Sequence, residues 1–306
     1  MKKITLLFII LISAIGYSQS VVINELDSDT PGIDDQEFIE LLSSMPNFSL
    51  DGYVLVLFNG SASGGDSSYF ALDLDGYTTD VNGLLLIGST TVSPFPQLII
   101  PANLIQNGPD AVAVYLGDDT DFPEGTLATQ TNLVDALVYD TSDVDDTGLM
   151  ALLGVTEQYN EGSDNNTNSI QRFDDGLGNP NSITYVATTP TPRALNDGSG
   201  ILLNGVLTSV TQTQVDEGSV FDITFTTEQN VDSDLTIDFT LNNGGFDTSD
   251  FTGNTSVVIP TGQNTIVTTI TLIDDVLDEG DEVLKIVIAN LPTVYIALNN
   301  NLEVRV

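Results

Sequence analysis

Short apolar runs separated by turn-forming residues are the feature that most restricts the fold of this chain. Gly, Asn, Asp and Pro bound these runs, and no long stretch repeats its apolar residues at the spacing of a helix. In the first two thirds of the chain the runs are VVINEL from 21, EFIELL from 37, YVLVLF from 53, GLLLIG from 83, AVAVYL from 111, NLVDALVY from 132 and NSIQRF from 168. Short β-rich runs of this kind are typical of sandwiches and barrels, and they predict an all-β fold.

Seven further runs follow residue 204. They are GVLTSVT from 205, SVFDITFTT from 219, DLTIDFTL from 234, TSVVI from 255, NTIVTTITLI from 264, DEVLKIVIA from 281 and LEVRV from 302. In the sixth run Leu284, Ile286 and Ile288 fall on one face, as expected for a strand that is buried on one side. Seven such strands in about 100 residues match the size of an immunoglobulin-like sandwich.

A polar, Gly-containing stretch separates the two groups of runs. DGSGILLNG, residues 197–205, follows TTPTPRALN and interrupts the strand pattern. Because domain boundaries fall in polar linkers with few contacts, we place a boundary here. The sequence therefore predicts two immunoglobulin-like antiparallel β-sandwiches in tandem, over residues 19–196 and 205–306, with a linker over 197–204.

The charge and the missing residue types restrict the chemistry. Six Lys and Arg stand against 44 Asp and Glu, and the net charge of −38 repels nucleic acid and favours cations as partners. The chain has no His and no Cys, which excludes Ser/His/Asp and Cys/His nucleophiles, thiolate or imidazole metal sites and disulfides. Oxygen ligands remain, and these suit calcium or magnesium.

The N-terminus has the pattern of a secretory signal peptide. Lys2 and Lys3 precede an apolar stretch over 4–15, and Gly16-Tyr17-Ser18 ends in a small residue before Gln19, which fits secretory cleavage. The apolar stretch is shorter than the roughly 20 residues that span a bilayer, so we expect cleavage and not an integral membrane protein. Residues 1–18 thus predict a secreted or cell-surface location, where calcium sites with a Kd of about 10⁻⁴–10⁻³ M are filled.

Acidic residues collect in the loops at one end of the second predicted sandwich. If its strands alternate in direction, three loops meet there and bring together Asp216, Glu217, Asp247, Asp250 and the six acids of DDVLDEGDE, residues 274–282. The opposite end has Glu228, Asp232 and Asp234. Like charges at close range oppose folding unless a cation neutralises them, and calcium takes six to eight oxygens at about 2.3–2.6 Å.

Four motifs in the second part resemble the Calx-beta domain of sodium–calcium exchangers and bacterial surface proteins. They are VDEGS from 215, TSDF from 248, VVIPTGQ from 257 and ITLIDDVLDEGDEVLKIVI from 270. The resemblance implies calcium as cofactor. It also implies the ligands Glu217, Asp250, Asp274, Asp275, Glu279 and Glu282, with Asp278 and Asp281 facing solvent.

Members of this family have further acidic ligands after the last strand, whereas this sequence ends at Val306. The ligand set expected here lacks those oxygens unless the chain continues. The alternative is that these acids form a solvated charged surface.

The first part is similar to the lamin-tail domain, an immunoglobulin-like sandwich that also occurs in secreted bacterial proteins. The matching stretches are VVINELDSDTPGIDDQEFIEL from 21, LDGYVLVLFNG from 50, NSIQRF from 168 and TPTPRALN from 189, where Arg193 replaces the usual Gly. These motifs belong to the framework of the family, so the resemblance implies a fold and says little about a ligand.

One loop of the first part has a weak likeness to a calcium loop. DSDTPGIDDQE begins with the D-x-D of an EF-hand, but Pro31 takes the fifth position and Phe38 takes the place of the bidentate Glu. We therefore expect a solvated acidic turn here, as in LGDDTDFPEG from 116 and TSDVDDTG from 141.

Three functions are compatible with the sequence. The first is a non-enzymatic secreted or surface protein that calcium stiffens and that binds a protein or a surface matrix. The second is an accessory part or fragment of a larger secreted hydrolase, such as a nuclease or phosphatase. The third is a glycosidase that uses two carboxylates, which the composition permits, although no Trp is present to bind a sugar.

Overall fold

A computed structural model describes residues 21–163, 166–173, 181, 184–274, 282–299 and 302–306. The predicted signal peptide lies outside these residues. Among the described residues, no helix is both long and apolar enough to cross a bilayer.

Two sheets form the first half of the structure. Their strands are β1 (Val21–Asp27), β2 (Phe38–Ser43), β3 (Tyr53–Asn59), β4 (Ser67–Asp73), β5 (Leu84–Gly88), β6 (Leu98–Ile99), β7 (Asp110–Leu116), β8 (Leu133–Asp140), β9 (Tyr159–Asn160), β10 (Ser169–Arg172) and β11 (Tyr185–Thr188). One sheet has the order β11-β10-β1-β2-β5-β6 and the other β4-β3-β7-β8-β9. Pairing is antiparallel except for β5–β6 and β8–β9, which are parallel.

Apolar side chains fill the space between these sheets and also cover their outer faces. The shared core includes Ile23, Leu41, Leu55, Val112, Leu137 and Ile170. On the outer face of the second sheet, Val56 and Tyr115 pack with Leu149 and Leu153 of a short helix, α1 (Thr147–Leu153). Strands buried on both faces need apolar residues at consecutive positions, which explains runs such as YVLVLF.

The second half is a smaller sandwich with one buried face per sheet. Its strands are β12 (Asn204–Val210), β13 (Val220–Thr227), β14 (Leu235–Thr240), β15 (Phe251–Gly253), β16 (Ser256–Ile259), β17 (Thr265–Leu272), β18 (Val283–Asn290), β19 (Tyr295–Leu298) and β20 (Leu302–Arg305). The sheet orders are β15-β17-β13-β12-β19 and β16-β14-β18-β20. Phe225 and Phe239 meet across the core with ring centroids 5.0 Å apart. Leu284, Ile286 and Ile288 face inward, as predicted.

The predicted all-β fold class is confirmed, and the predicted strands of both parts are present. The sequence did not predict β4, β6, β9, β11, β15, β19 and α1. The stretch NLPTVYIALNNN, residues 290–301, lies between two predicted strands and is not among them, but Tyr295–Leu298 pairs in parallel with β12 at the sheet edge. Helix α1 has only seven residues, too few to show a helical period, and depends on its caps. Asp146 Oδ1 accepts hydrogen bonds from the first-turn N–H groups, and Gly154 ends the helix at φ 71°.

Arg193 connects the two sandwiches. Its Nη1 donates to Glu228 Oε1 at 2.9 Å and to Phe95 O at 3.2 Å, while Nη2 donates to Leu203 O at 3.0 Å. The backbone of Arg193 is left-handed, with φ 60°. A Gly is suited to this conformation, whereas Arg is strained there by about 1–2 kcal/mol. We infer that the guanidinium contacts offset this strain.

Two replacements of Arg193 should separate the effect of its contact with Glu228 from the effect of its left-handed backbone strain. Arg193→Ala and Arg193→Gly both remove the bridge to Glu228, so we expect several-fold faster proteinase K cleavage within 197–203, where Leu202 is 87% exposed. In urea unfolding, the Gly variant should be more stable than the Ala variant by about 1 kcal/mol because Gly relieves the left-handed strain. Arg305→Ala is the control, since that side chain is exposed on β20. Equal cleavage rates in all three variants would show that the Arg193 side chain does not hold the two sandwiches together.

Candidate functional site

Four of the six predicted calcium ligands lie in the described loops at one end of the second sandwich. Glu217 is in the turn between β12 and β13, and Asp250 directly precedes β15. Asp274 follows β17, and Glu282 directly precedes β18. The other two, Asp275 and Glu279, lie outside the described residues, as do Asp278 and Asp281.

Backbone hydrogen bonds hold these loops side by side. Leu272 N donates to Ser219 O at 2.9 Å, which joins the end of β17 to the turn that contains Glu217. Ile273 N donates to Asp250 O at 2.9 Å. Val306 N donates to Glu282 O at 2.9 Å, so the last residue of the sequence also lies at this end.

Two glycines allow the acidic side chains to approach the backbone. A Cβ on Gly245 would lie 2.5 Å from Glu282 Oε1, closer than non-bonded atoms allow. A Cβ on Gly218 would lie 3.1 Å from the Cβ of Asp274. Gly218 is also left-handed, with φ 73°, and therefore meets two requirements that favour Gly. In the VDEGS motif, Glu217 is the predicted ligand, and the Gly218 that follows it is required by the backbone.

The carboxylates of this end act on one another electrostatically. Burial, and after it the charges of Asp250 and Glu217, raises the pKa of Glu282. Asp247 contributes a smaller effect of the same sign. Asp247 itself is an exposed residue whose pKa is lowered by hydrogen bonds from Ser249. None of Glu217, Asp250, Asp274 and Glu282 forms an ion pair with Lys or Arg in the described part of the chain.

These acids line an end surface and do not form a closed metal centre. Across the described ranges, no group of three or more acidic side chains converges closely enough to hold an ion. Asp247 N donates to Asp250 Oδ2 at 2.5 Å, so one Asp250 oxygen is already in use within its own loop. The structure therefore brings the four described ligands to one end but leaves their oxygens apart.

Sequence reasoning missed a set of buried acids in the first sandwich. Glu25 and Glu40, from the INE and EFIEL motifs, are fully buried. Glu25 Oε1 accepts from Ser169 Oγ at 2.6 Å and from Thr191 N at 2.8 Å. Glu40 Oε2 accepts from Arg193 N at 2.7 Å. These two carboxylates fasten the segment that leads to the second sandwich, which is a framework role.

The loop DSDTPGIDDQE also differs from expectation. We expected solvated acids, but Asp27, Asp29 and Glu37 are 6%, 3% and 3% exposed, and Glu161 from a distant segment is 0% exposed. Ser28 donates to Glu161 Oε2 from its N at 3.0 Å and from its Oγ at 2.5 Å. The signal in the sequence was the position of Asp27 and Glu37 at the ends of the predicted strands VVINEL and EFIELL.

The other two acid-rich turns are exposed, as predicted. Asp118 and Asp121 form a reciprocal capping pair around a 3-10 turn (Asp119–Asp121). Asp143 and Asp145 are exposed in the loop before α1. Their charges are solvated, so neither turn is a candidate for ion binding.

Comparison with known proteins assigns the chain to no family. No family model and no curated protein matches the sequence. The apo form of the Calx CBD1 domain is similar in structure at 17% identity and a TM-score of 0.28, over 33% of this chain and 94% of that one. CBD12 from CALX1.2 matches at 17% identity and a TM-score of 0.27, over 32% of this chain and 43% of that one. The type II cohesin dyad from the ScaA scaffoldin of Acetivibrio cellulolyticus matches at 8% identity and a TM-score of 0.25, over 92% of this chain and 98% of that one. Likenesses at these scores establish neither a shared family nor a shared activity.

Proposed function

We propose that this chain is a non-enzymatic calcium-binding protein, secreted or displayed at the cell surface, whose second sandwich binds the ion through its acidic end. The ligands are Glu217, Asp250, Asp274, Asp275, Glu279 and Glu282. Calcium stiffens these loops, and the stiffened protein binds another protein or a surface matrix. The single observation that carries the proposal is that separate loops, joined by backbone hydrogen bonds, bring Asp250 and Glu217 close enough to Glu282 to raise its pKa.

Calcium is the cation that this set of donors favours. The chain offers no His or Cys, so an ion must be held by oxygen. Calcium accepts six to eight oxygens in flexible geometry, which loops from several strands can supply after small movements. Magnesium requires a near-ideal octahedron and releases its water reluctantly, so it fits this open arrangement less well.

Calcium titration of the secreted full-length chain tests the proposal. After removal of ions with EDTA, we expect binding heat and a higher unfolding temperature with calcium, and a much smaller response to magnesium. A calcium concentration about 100 times the Kd should add about 2.7 kcal/mol to the free energy of unfolding. Isothermal titration and differential scanning calorimetry measure the two effects.

Matched variants locate the ion. The double variant Glu217→Gln with Glu282→Gln should lose the calcium bound at this end while retaining its shape. Asp232→Asn, in the exposed loop between β13 and β14 at the opposite end, should bind as the wild type does. If the double variant binds as many ions as the wild type with unchanged affinity, calcium does not bind at this end.

A further inference from the structure

A second group of carboxylates lies at one end of the first sandwich, separate from the site proposed above. Asp27 is the last residue of β1, Glu37 directly precedes β2, and Glu161 directly follows β9. Glu161 is held in place by its backbone, since Glu161 N donates to Asp140 O at 2.8 Å. The facing ends of β1 and β2, ten positions apart, therefore meet a segment more than 120 positions further along the chain, since Glu161 acts electrostatically on both Asp27 and Glu37.

These side chains are buried without a compensating positive charge. Asp27, Glu37 and Glu161 are 6%, 3% and 0% exposed. None of them forms an ion pair with Lys or Arg within the described part of the chain. An isolated ionised carboxylate in such surroundings is strongly destabilising, so the group needs either protons or a cation.

Glu37 and Glu161 each have one oxygen with a protein donor and one without, and Asp27 also has a buried oxygen without a donor in the described part of the chain. Ser28 donates to Glu161 Oε2, and Ile105 N donates to Glu37 Oε2 at 3.2 Å. Within the residues that the structure describes, Asp27 Oδ1, Glu37 Oε1 and Glu161 Oε1 are buried and accept no hydrogen bond from a donor group. Buried polar atoms are rarely left in this state, and each needs a missing partner.

A shared proton would satisfy only part of the group. Asp27 and Glu161 contact each other through their carboxyl groups, which are hydrogen-bonded when one is protonated. That proton joins one pair of oxygens and leaves Glu37 Oε1 without a partner. A divalent cation attracts several oxygens at once and neutralises more than one charge.

We propose that Asp27 and Glu161 bridge a second calcium ion at this end of the first sandwich, with Glu37 as the third acidic ligand. The three described side chains do not converge closely enough to hold an ion. Asp27 and Glu161 already contact each other, so binding requires Glu37 to move toward them. Ions reach the site through a cavity of about 260 Å³ that Asp27, Thr30, Gln36 and Thr167 line.

The protonation behaviour of the group is consistent with this proposal. Burial, followed by the charge of Glu161, raises the pKa of Asp27 to about 9. Burial raises the pKa of Glu37 to about 8 and that of Glu161 to about 7. Carboxyl groups kept neutral in this way release protons when a cation binds.

Native mass spectrometry of the full-length chain with calcium chloride tests the proposal by counting bound ions. The experiment starts from the variant Glu217→Gln with Glu282→Gln, so that ions at the second sandwich do not enter the count. We expect this background to retain one calcium ion and to lose it when Glu161→Gln or Asp27→Asn is added. The exposed Glu157→Gln, four positions from Glu161, is the matched control and should keep the ion.

Folding of the variants is checked in EDTA. A Gln at 161 imitates a neutral carboxyl group, so Glu161→Gln should unfold in EDTA at a temperature equal to or above that of its background and lose the increase that calcium produces. A background that binds no ion at millimolar calcium overturns the proposal, as does an ion that persists in both the Glu161→Gln and Asp27→Asn variants. The proposed function fails by a different result, the retention of every ion in the Glu217→Gln, Glu282→Gln background.

Discussion

Replacing Arg172 with methionine should lower the free energy of unfolding by about 3–5 kcal/mol. Arg172 and Asp135 form an ion pair at 2.5 Å, and both side chains are fully buried. Arg172 Nε also donates to Ile23 O at 2.9 Å, and the guanidinium lies 5.1 Å from the ring centroid of Tyr185. In the variant, the Asp135 carboxylate would stay buried without its counter-charge, and that uncompensated charge causes most of the loss.

Urea unfolding measures this loss of stability. Two further variants serve for comparison. Arg172→Met combined with Asp135→Asn should recover part of the stability, since the amide carries no charge and its oxygen can still accept from Ile23 N. Lys285→Met is the exposed counterpart. Its ion pair with Glu303 is 3.8 Å long and the side chains are 33% and 59% exposed, so we expect a change of less than about 1 kcal/mol. If Arg172→Met and Lys285→Met lowered the free energy of unfolding by similar amounts, the buried ion pair would contribute no more to stability than the exposed one.

In EDTA, the stability of the protein should decrease as the pH rises from about 5 to 9. The pKa of Asp27 is raised to about 9, that of Glu37 to about 8 and that of Glu161 to about 7, in each case first by burial. In the unfolded chain these groups titrate near pH 4, so between pH 5 and 9 the folded state holds protons that the unfolded state has released. Stability is therefore greatest at the acidic end of this window and is lost as the pH passes through the folded-state pKa values.

The size of the effect follows from the number of protons involved. Each additional proton held by the folded state contributes about 1.4 kcal/mol per pH unit. Nearby acids act in the same direction, since Glu25 raises the pKa of Asp27 and Asp34 raises that of Glu37. Urea midpoints at several pH values give the slope. Glu161→Gln should flatten it and Glu157→Gln should not, whereas a stability that increases with pH would contradict the assigned pKa directions.

Much of the fold could be predicted because the burial of a strand determines the order of apolar and polar residues in its sequence. In the first sandwich, strands such as β3 are buried on both faces and appear as unbroken apolar runs. In the second, strands such as β13 alternate because one face meets solvent. Edge strand β15 buries only Phe251, and edge strand β19 has only four residues, so neither could be recognised from its sequence. Helix α1 is too short to show a helical period, so its N-cap Asp146 could not be recognised either.

Of the two candidate sites, one could be predicted from the sequence and the other could not. The acidic end of the second sandwich was predictable because alternating strand directions place every second loop at one end, and Glu217, Asp250, Asp274 and Glu282 lie there. The group around Asp27 was not, because Glu161 is 134 positions away in the sequence and no local pattern links the two residues. Arg193 stands where the expected lamin-tail motif has a Gly, but only its φ of 60° and its contact with Glu228 explain what a residue at this position does.

By itself, the sequence determined the chemistry that this protein can use and the class of its fold. The absence of His and Cys limits ion binding to oxygen, and the spacing of apolar and turn residues requires β-strands. The tertiary structure decided which acids lose their water. Whether a carboxylate is solvated or buried depends on segments that pack against it from elsewhere in the chain, and this is why Asp27 and Glu161 share a buried site while Asp118 and Asp143 remain in solvent.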